Sequence, residues 1–94
     1  MATFLMYGNY SSRALQEMSV QRTSKAVDLI RRLGGEVEAM YAALGQHDLV
    51  FVLSMPGIDE AVKASVALTK LTGIAFSTSP AVSVEHFDKL MSEI

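Results

Sequence analysis

LGQHDLVFVLSMPG, residues 44–57, carries Leu49-Val50-Phe51-Val52-Leu53 without a polar interruption, where a strand with one wet face would alternate. Successive strand residues point to opposite faces, so Leu49, Phe51 and Leu53 fall on one side and Val50 and Val52 on the other. Both sides of this strand need cover. The stretch begins with His47-Asp48, which reads as a turn or as an acid–base pair, and it ends at Pro56-Gly57, which stops the strand.

Upstream, residues 36–44 alternate, with Val37, Ala39, Tyr41 and Ala43 on one side and Glu36, Glu38, Met40, Ala42 and Leu44 on the other. Only Gly45-Gln46-His47 separates this strand from the next, which predicts an antiparallel hairpin. Further upstream, Ala26, Leu29, Ile30 and Leu33 recur at helical spacing behind Ser19 as a cap, and Gly34-Gly35 supplies a left-handed stop. Ser11-Ser12 caps a short helical turn over residues 13–18. A first strand, residues 3–10, sets Phe4 and Met6 against Leu5 and Tyr7, again apolar on both faces.

Downstream, Asp59 is the expected cap of a helix reaching about Leu71, with Ala61, Val62, Ser65, Val66, Leu68 and Thr69 as its packing face and Gly73 as its stop. Residues 74–82 form a fourth strand. Ser83 caps a final helix with Val84, Phe87, Leu90, Met91 and Ile94 along one side. The order is β-α-β-β-α-β plus a C-terminal helix, an α+β ferredoxin-like arrangement in which both long helices cover one face of a four-stranded antiparallel sheet.

Composition bounds the rest. The 94 residues make a single domain, 50% hydrophobic and 19% charged, with a mean hydropathy of +0.28 and more apolar surface than a globule of this size readily hides. The second sheet face is the natural place for the excess. Leaving about 600 Å² of it bare would forgo on the order of 15 kcal/mol before association costs, so the expected partner is a second copy in a homodimer or larger homo-oligomer joined through the open sheet face. The competing cover is the C-terminal helix of the same chain.

With no cysteine, disulfides and thiol chemistry are excluded, and a reducing, cytoplasmic setting is the expectation. Net charge is -2, without the basic footprint of a nucleic-acid binder. No apolar run is long enough to span a bilayer, so no membrane partner is expected. Two distant histidines, His47 and His86, make a poor ligand set, and the glycines follow no phosphate-loop spacing; no metal and no cofactor are expected.

Candidate ligand-binding residues are Tyr7, Asn9, Tyr41 and His47. Tyr10 joins Tyr7 and Tyr41 as a cleft-lining ring, with Asn9, Ser11, Arg13 and Thr78 as polar neighbours, and phenol, amide and guanidinium groups around an apolar floor suit a small aromatic or carboxylate ligand. His47 beside Asp48 has the chemistry of a general acid or base. The plainer assignment uses Asp48 to bond backbone N–H groups of the turn and leaves His47 exposed.

Tyr7-Gly8-Asn9-Tyr10, Leu33-Gly34-Gly35, and Leu44-Gly45-Gln46-His47-Asp48-Leu49-Val50 followed by Met55-Pro56 together resemble the GYD domain family over nearly the whole chain. Gly45-Gln46-His47-Asp48 stands where a Gly-x-Tyr-Asp pattern is expected, so a role of that tyrosine ring does not carry over. The resemblance implies a dimeric α+β barrel fold. That fold also hosts cofactor-independent quinol monooxygenases, isomerases and ligand-sensing domains, so it selects no activity. Two functions follow as expectations: a small-molecule binding or structural assembly module, or a cofactor-independent monooxygenase or isomerase acting on a small aromatic or quinol-like substrate.

Overall fold

The first strand meets both of its neighbours in the antiparallel sense, and the sheet order follows from that. The computed structural model describes residues 1–94. Its elements are β1 (Ala2–Asn9), α1 (Ser12–Gln16), α2 (Val20–Arg32), β2 (Glu36–Ala42), β3 (Leu49–Met55), α3 (Ile58–Thr72), β4 (Ala75–Ala81) and α4 (Val84–Met91). The sheet runs β2-β3-β1-β4 with every neighbouring pair antiparallel. β1 and β2 are therefore mutually parallel with β3 inserted between them, and β3 and β4 are parallel with β1 between them. Each parallel pair is joined by a helical crossover, which gives the expected ferredoxin-like α+β fold with an added C-terminal helix.

The core lies between α2, α3 and one sheet face. Phe4 and Met6 of β1, Phe51, Leu53 and Met55 of β3, Ala26 and Ile30 of α2, and Ala61, Ala64 and Leu68 of α3 form one buried cluster. Gly8 continues the β1 row, and a Cβ there would lie 2.8 Å from the Phe76 ring, so its bareness lets that ring cross the sheet. At the end of α2, Gly34 takes φ +86°, the left-handed geometry that turns the chain into β2.

Local expectations fail in three places. In β2, Val37 opposes Leu53 but Ala39 opposes Val52, so Glu38 is an extra residue at a bulge. The bulge puts Val37 and Met40 together on the core side, where strict alternation had separated them. In α3 the cap is Gly57, without a side-chain hydrogen bond, and Asp59 lies inside the first turn, where its charge suits the helix dipole. The buried stripe of α3 is Ala61, Ala64, Leu68 and Thr72, while Val62 and Val66 are exposed. Alanines let the helix lie close to the sheet, and Val62 and Val66 fall outside that contact, exposed at the margin of α3 toward β4.

α4 forms where expected, with Ser83 Oγ accepting from His86 N at 3.1 Å. It buries none of its residues, and Phe87, Leu90 and Met91 stay substantially exposed. The molecule measures 48 × 30 × 18 Å with a radius of gyration of 14.2 Å, above the ~12 Å of a compact chain this long. α4 thus stands off the body and leaves the second sheet face uncovered.

Candidate functional site

The uncovered face carries all four residues singled out from the sequence. β-pairing aligns Tyr41, Val50, Tyr7 and Ser77 in one row and Ala39, Val52, Leu5 and Ser79 in the next. Leu5, Tyr7, Val50 and Val52 are half-buried by their neighbours' side chains, while Tyr41 is 62% exposed. Asn9 lies exposed on the same face at the end of β1, opposite Ala75. The result is an apolar strip bordered by small hydroxyl residues on β4 and by Glu36 and Glu38 on β2.

His47 joins this face from the β2–β3 loop. Its ring lies 4.7 Å from the Tyr7 ring, centroid to centroid, at 35°. Nδ1 is shielded from solvent with no hydrogen-bond partner, an arrangement that ordinarily costs about 1–3 kcal/mol. Asp48 does not serve as its carboxylate: Asp48 Oδ2 accepts from Tyr10 N at 2.9 Å, and Asp48 N donates to Gly8 O at 2.9 Å. The acidic residue therefore locks the exit of β1 onto the loop: it accepts from a backbone N–H, as the plainer assignment expected, but from Tyr10 and not from the turn, whereas His47 is half-buried against Tyr7 and not free in solvent. The loop itself is wider than a tight hairpin turn, with Ala43 N donating to Asp48 O at 2.9 Å and Leu44 at φ 56°.

The other polar residues expected nearby are dispersed. Arg13 is on the surface, paired with Glu17 at 3.0 Å. Thr78 faces α3 and donates to Ser65 Oγ at 3.1 Å. That hydroxyl pair sits in an apolar groove of about 290 Å³ between α3 and β4, lined also by Ile58, Val62, Val66 and Pro80 and containing no titratable side chain.

A second site, missed from the sequence, opens on the helical side. A crevice of about 60 Å³ enters the core beneath Tyr10, Arg22 and Thr23, with Met40, Leu49, Phe51, Ile74 and Phe76 as its walls. The same three mouth residues border a wider outer hollow of about 310 Å³ that extends to Met18, Ser19 and Val20. Arg22 Nη1 donates to Ala14 O at 2.6 Å, and the guanidinium carbon lies 5.9 Å from the centre of the Tyr10 ring. In the sequence Arg22 is one of several charges on an amphipathic helix. Only its bond back to the Ala14 carbonyl of the short α1 and its place beside the Tyr10 ring mark it out.

Comparison with known families settles the kinship. The GYD domain model matches residues 4–91, nearly the whole chain. The protein belongs to the GYD domain family. A comparison with curated proteins gave no match. Tyr7, His47, Tyr10 and Arg22 all lie within the matched region of this GYD domain. The two sites they form occupy opposite sides of one sheet, and Asp48 of the β2–β3 loop links them by holding Tyr10 N.

Proposed function

We propose that this GYD protein is a homo-oligomeric module that assembles through its open sheet face and binds a small molecule. The observation that carries this reading is the bare strip of Leu5, Tyr7, Tyr41, Val50 and Val52, which neither α2 and α3 nor α4 covers. An apolar centre with a polar rim is the anatomy of a protein interface, and contiguous exposed apolar patches of several hundred Å² are unusual on monomers. Both sheet edges are blunted, β2 by its bulge and β4 by Pro80, so pairing face to face is favoured over edge-to-edge strand addition.

Sedimentation equilibrium at micromolar concentration tests the reading. A dimer or larger species is expected for the native chain, and a monomer with unchanged far-UV circular dichroism for Val52→Lys. A native chain that sediments as a monomer overturns the assembly.

The stacked Tyr7 and His47 favour one second reading, a cofactor-independent monooxygenase or isomerase for a small aromatic or quinol-like substrate, with Asn9 and Tyr41 beside them. A protonatable imidazole next to a phenol is suited to moving a proton on such a substrate. Turnover of a hydroquinone that disappears in His47→Gln with the fold intact would support catalysis. Equal rates with and without the protein would remove it.

A further inference from the structure

Eight side chains in this protein carry a lysine or arginine charge, and all except Arg22 are exposed. Arg22 is half-buried and forms no salt bridge; the ion pairs present are Arg13–Glu17 and Arg31–Glu36. A guanidinium has five N–H donors, and a single hydrogen bond, to the Ala14 carbonyl, is made here. A partly desolvated cation without a carboxylate partner is unfavourable unless something else supplies the charge. The backbone N–H groups at the start of α2 are not the attraction, because Ser19 already caps them: Arg22 N donates to Ser19 Oγ at 3.0 Å and Thr23 N to Ser19 O at 3.2 Å.

What surrounds Arg22 has two distinct parts. Outward lies the open hollow; inward lies a narrow apolar crevice with room for on the order of two water-sized groups. The Tyr10 ring holds the guanidinium plane at the boundary between them, and Tyr10 is itself held by the Asp48 carboxylate through its backbone N–H. Asp48 spends Oδ2 on that bond, and no carboxylate of the chain lies within ion-pair distance of Arg22.

We infer that the Tyr10–Arg22 crevice is a binding site for a small organic carboxylate, with the carboxylate on the Arg22 guanidinium at the mouth and a short apolar tail among Met40, Leu49, Phe51, Ile74 and Phe76. The planar fork of arginine accepts a carboxylate through two parallel bonds, and the crevice walls reward a few methylene groups and reject a second charge. This deepens the ligand half of the function proposed above and does not depend on the assembly half: the crevice lies on the helical side of the sheet, away from the Tyr7 face.

The test is a nitrogen–proton correlation experiment on the native chain, following the Arg22 Nε–Hε signal during titration with sodium acetate, propionate and butyrate, and with 1-butanol and sodium chloride as controls. A saturable shift is expected with the carboxylates, tightening from acetate to butyrate, and none with butanol or with chloride at equal ionic strength. Arg22→Met, which keeps the stem and removes the fork, should weaken butyrate binding about ten- to hundredfold. Arg22→Lys should restore only part of it. Equal shifts with butanol, carboxylate effects spread evenly over the exposed lysines and arginines, or undiminished butyrate binding by Arg22→Met would each overturn the site. Should Arg22→Met fail to fold, the native titration alone still decides. Sedimentation of the same samples reports on the assembly separately, so failure of one idea is distinguishable from failure of the other.

Discussion

Thr72 is the one buried side chain outside the apolar core that carries a hydroxyl, and both of its hydrogen bonds close the end of α3: Oγ1 donates to Leu68 O at 2.7 Å and accepts from Ile74 N at 3.1 Å. Thr72→Val keeps the shape and strands the Ile74 N–H in a buried position, which should cost about 1–3 kcal/mol in a urea titration. Gly35 is under a different constraint. A Cβ there would meet the Met55 thioether and also Ser54 O at 2.8 Å, and the strand backbone cannot yield as a side-chain tip can. Gly35→Ala should therefore destabilise by about 1–3 kcal/mol, with the denaturation midpoint moving at unchanged slope. At this scale the sequence was only partly readable. It placed His47 and Asp48 together in a turn and favoured backbone duty for Asp48, but the stacking of His47 on Tyr7 depends on loop width and on pairing between chain segments 40 residues apart.

Elements were more legible than their faces. Capping serines at 11, 19 and 83 each accept a backbone N–H where expected, and the glycine stops at 34 and 73 take positive φ. These are local signals. The faces of β2 and α3 are not local: a bulge is visible only against the partner strand, and α3 is apolar around more than one side, so hydropathy alone cannot say which stripe meets the sheet. The crevice was hidden for the same reason, since Arg22 acquires its meaning from α1 and Tyr10 folding beside it. α4 is the opposite case, an element whose formation is local and whose packing is absent. Ser83→Ala should cost that helix about 1 kcal/mol of capping and lower far-UV helicity at its end. The cooperative unfolding midpoint of the isolated protomer should stay within a few tenths of a kcal/mol, because nothing in the core leans on α4.

At the scale of the whole molecule, the apolar residues outside the core gather on the open sheet face, on the exposed stripe of α4 and in the groove between α3 and β4. No helix is long and apolar enough to cross a membrane. If a second copy covers the sheet face, folding and association are linked, and the native state gains stability with every increase in protomer concentration by mass action. The apparent melting temperature should then climb steadily between about 1 and 100 µM, a rise that corresponds to roughly 1.4 kcal/mol per decade when two chains associate as they fold. Val52→Lys puts a charge in the middle of the strip, so its melting temperature should be lower and independent of concentration. The core row of Phe51 and Leu53 faces the other way and is untouched by that change. A native chain whose melting temperature ignores concentration would mean that the strip of Leu5, Tyr7, Tyr41, Val50 and Val52 is stable in water by itself, and the reason for so apolar a β3 would then have to be sought in a ligand rather than in a partner.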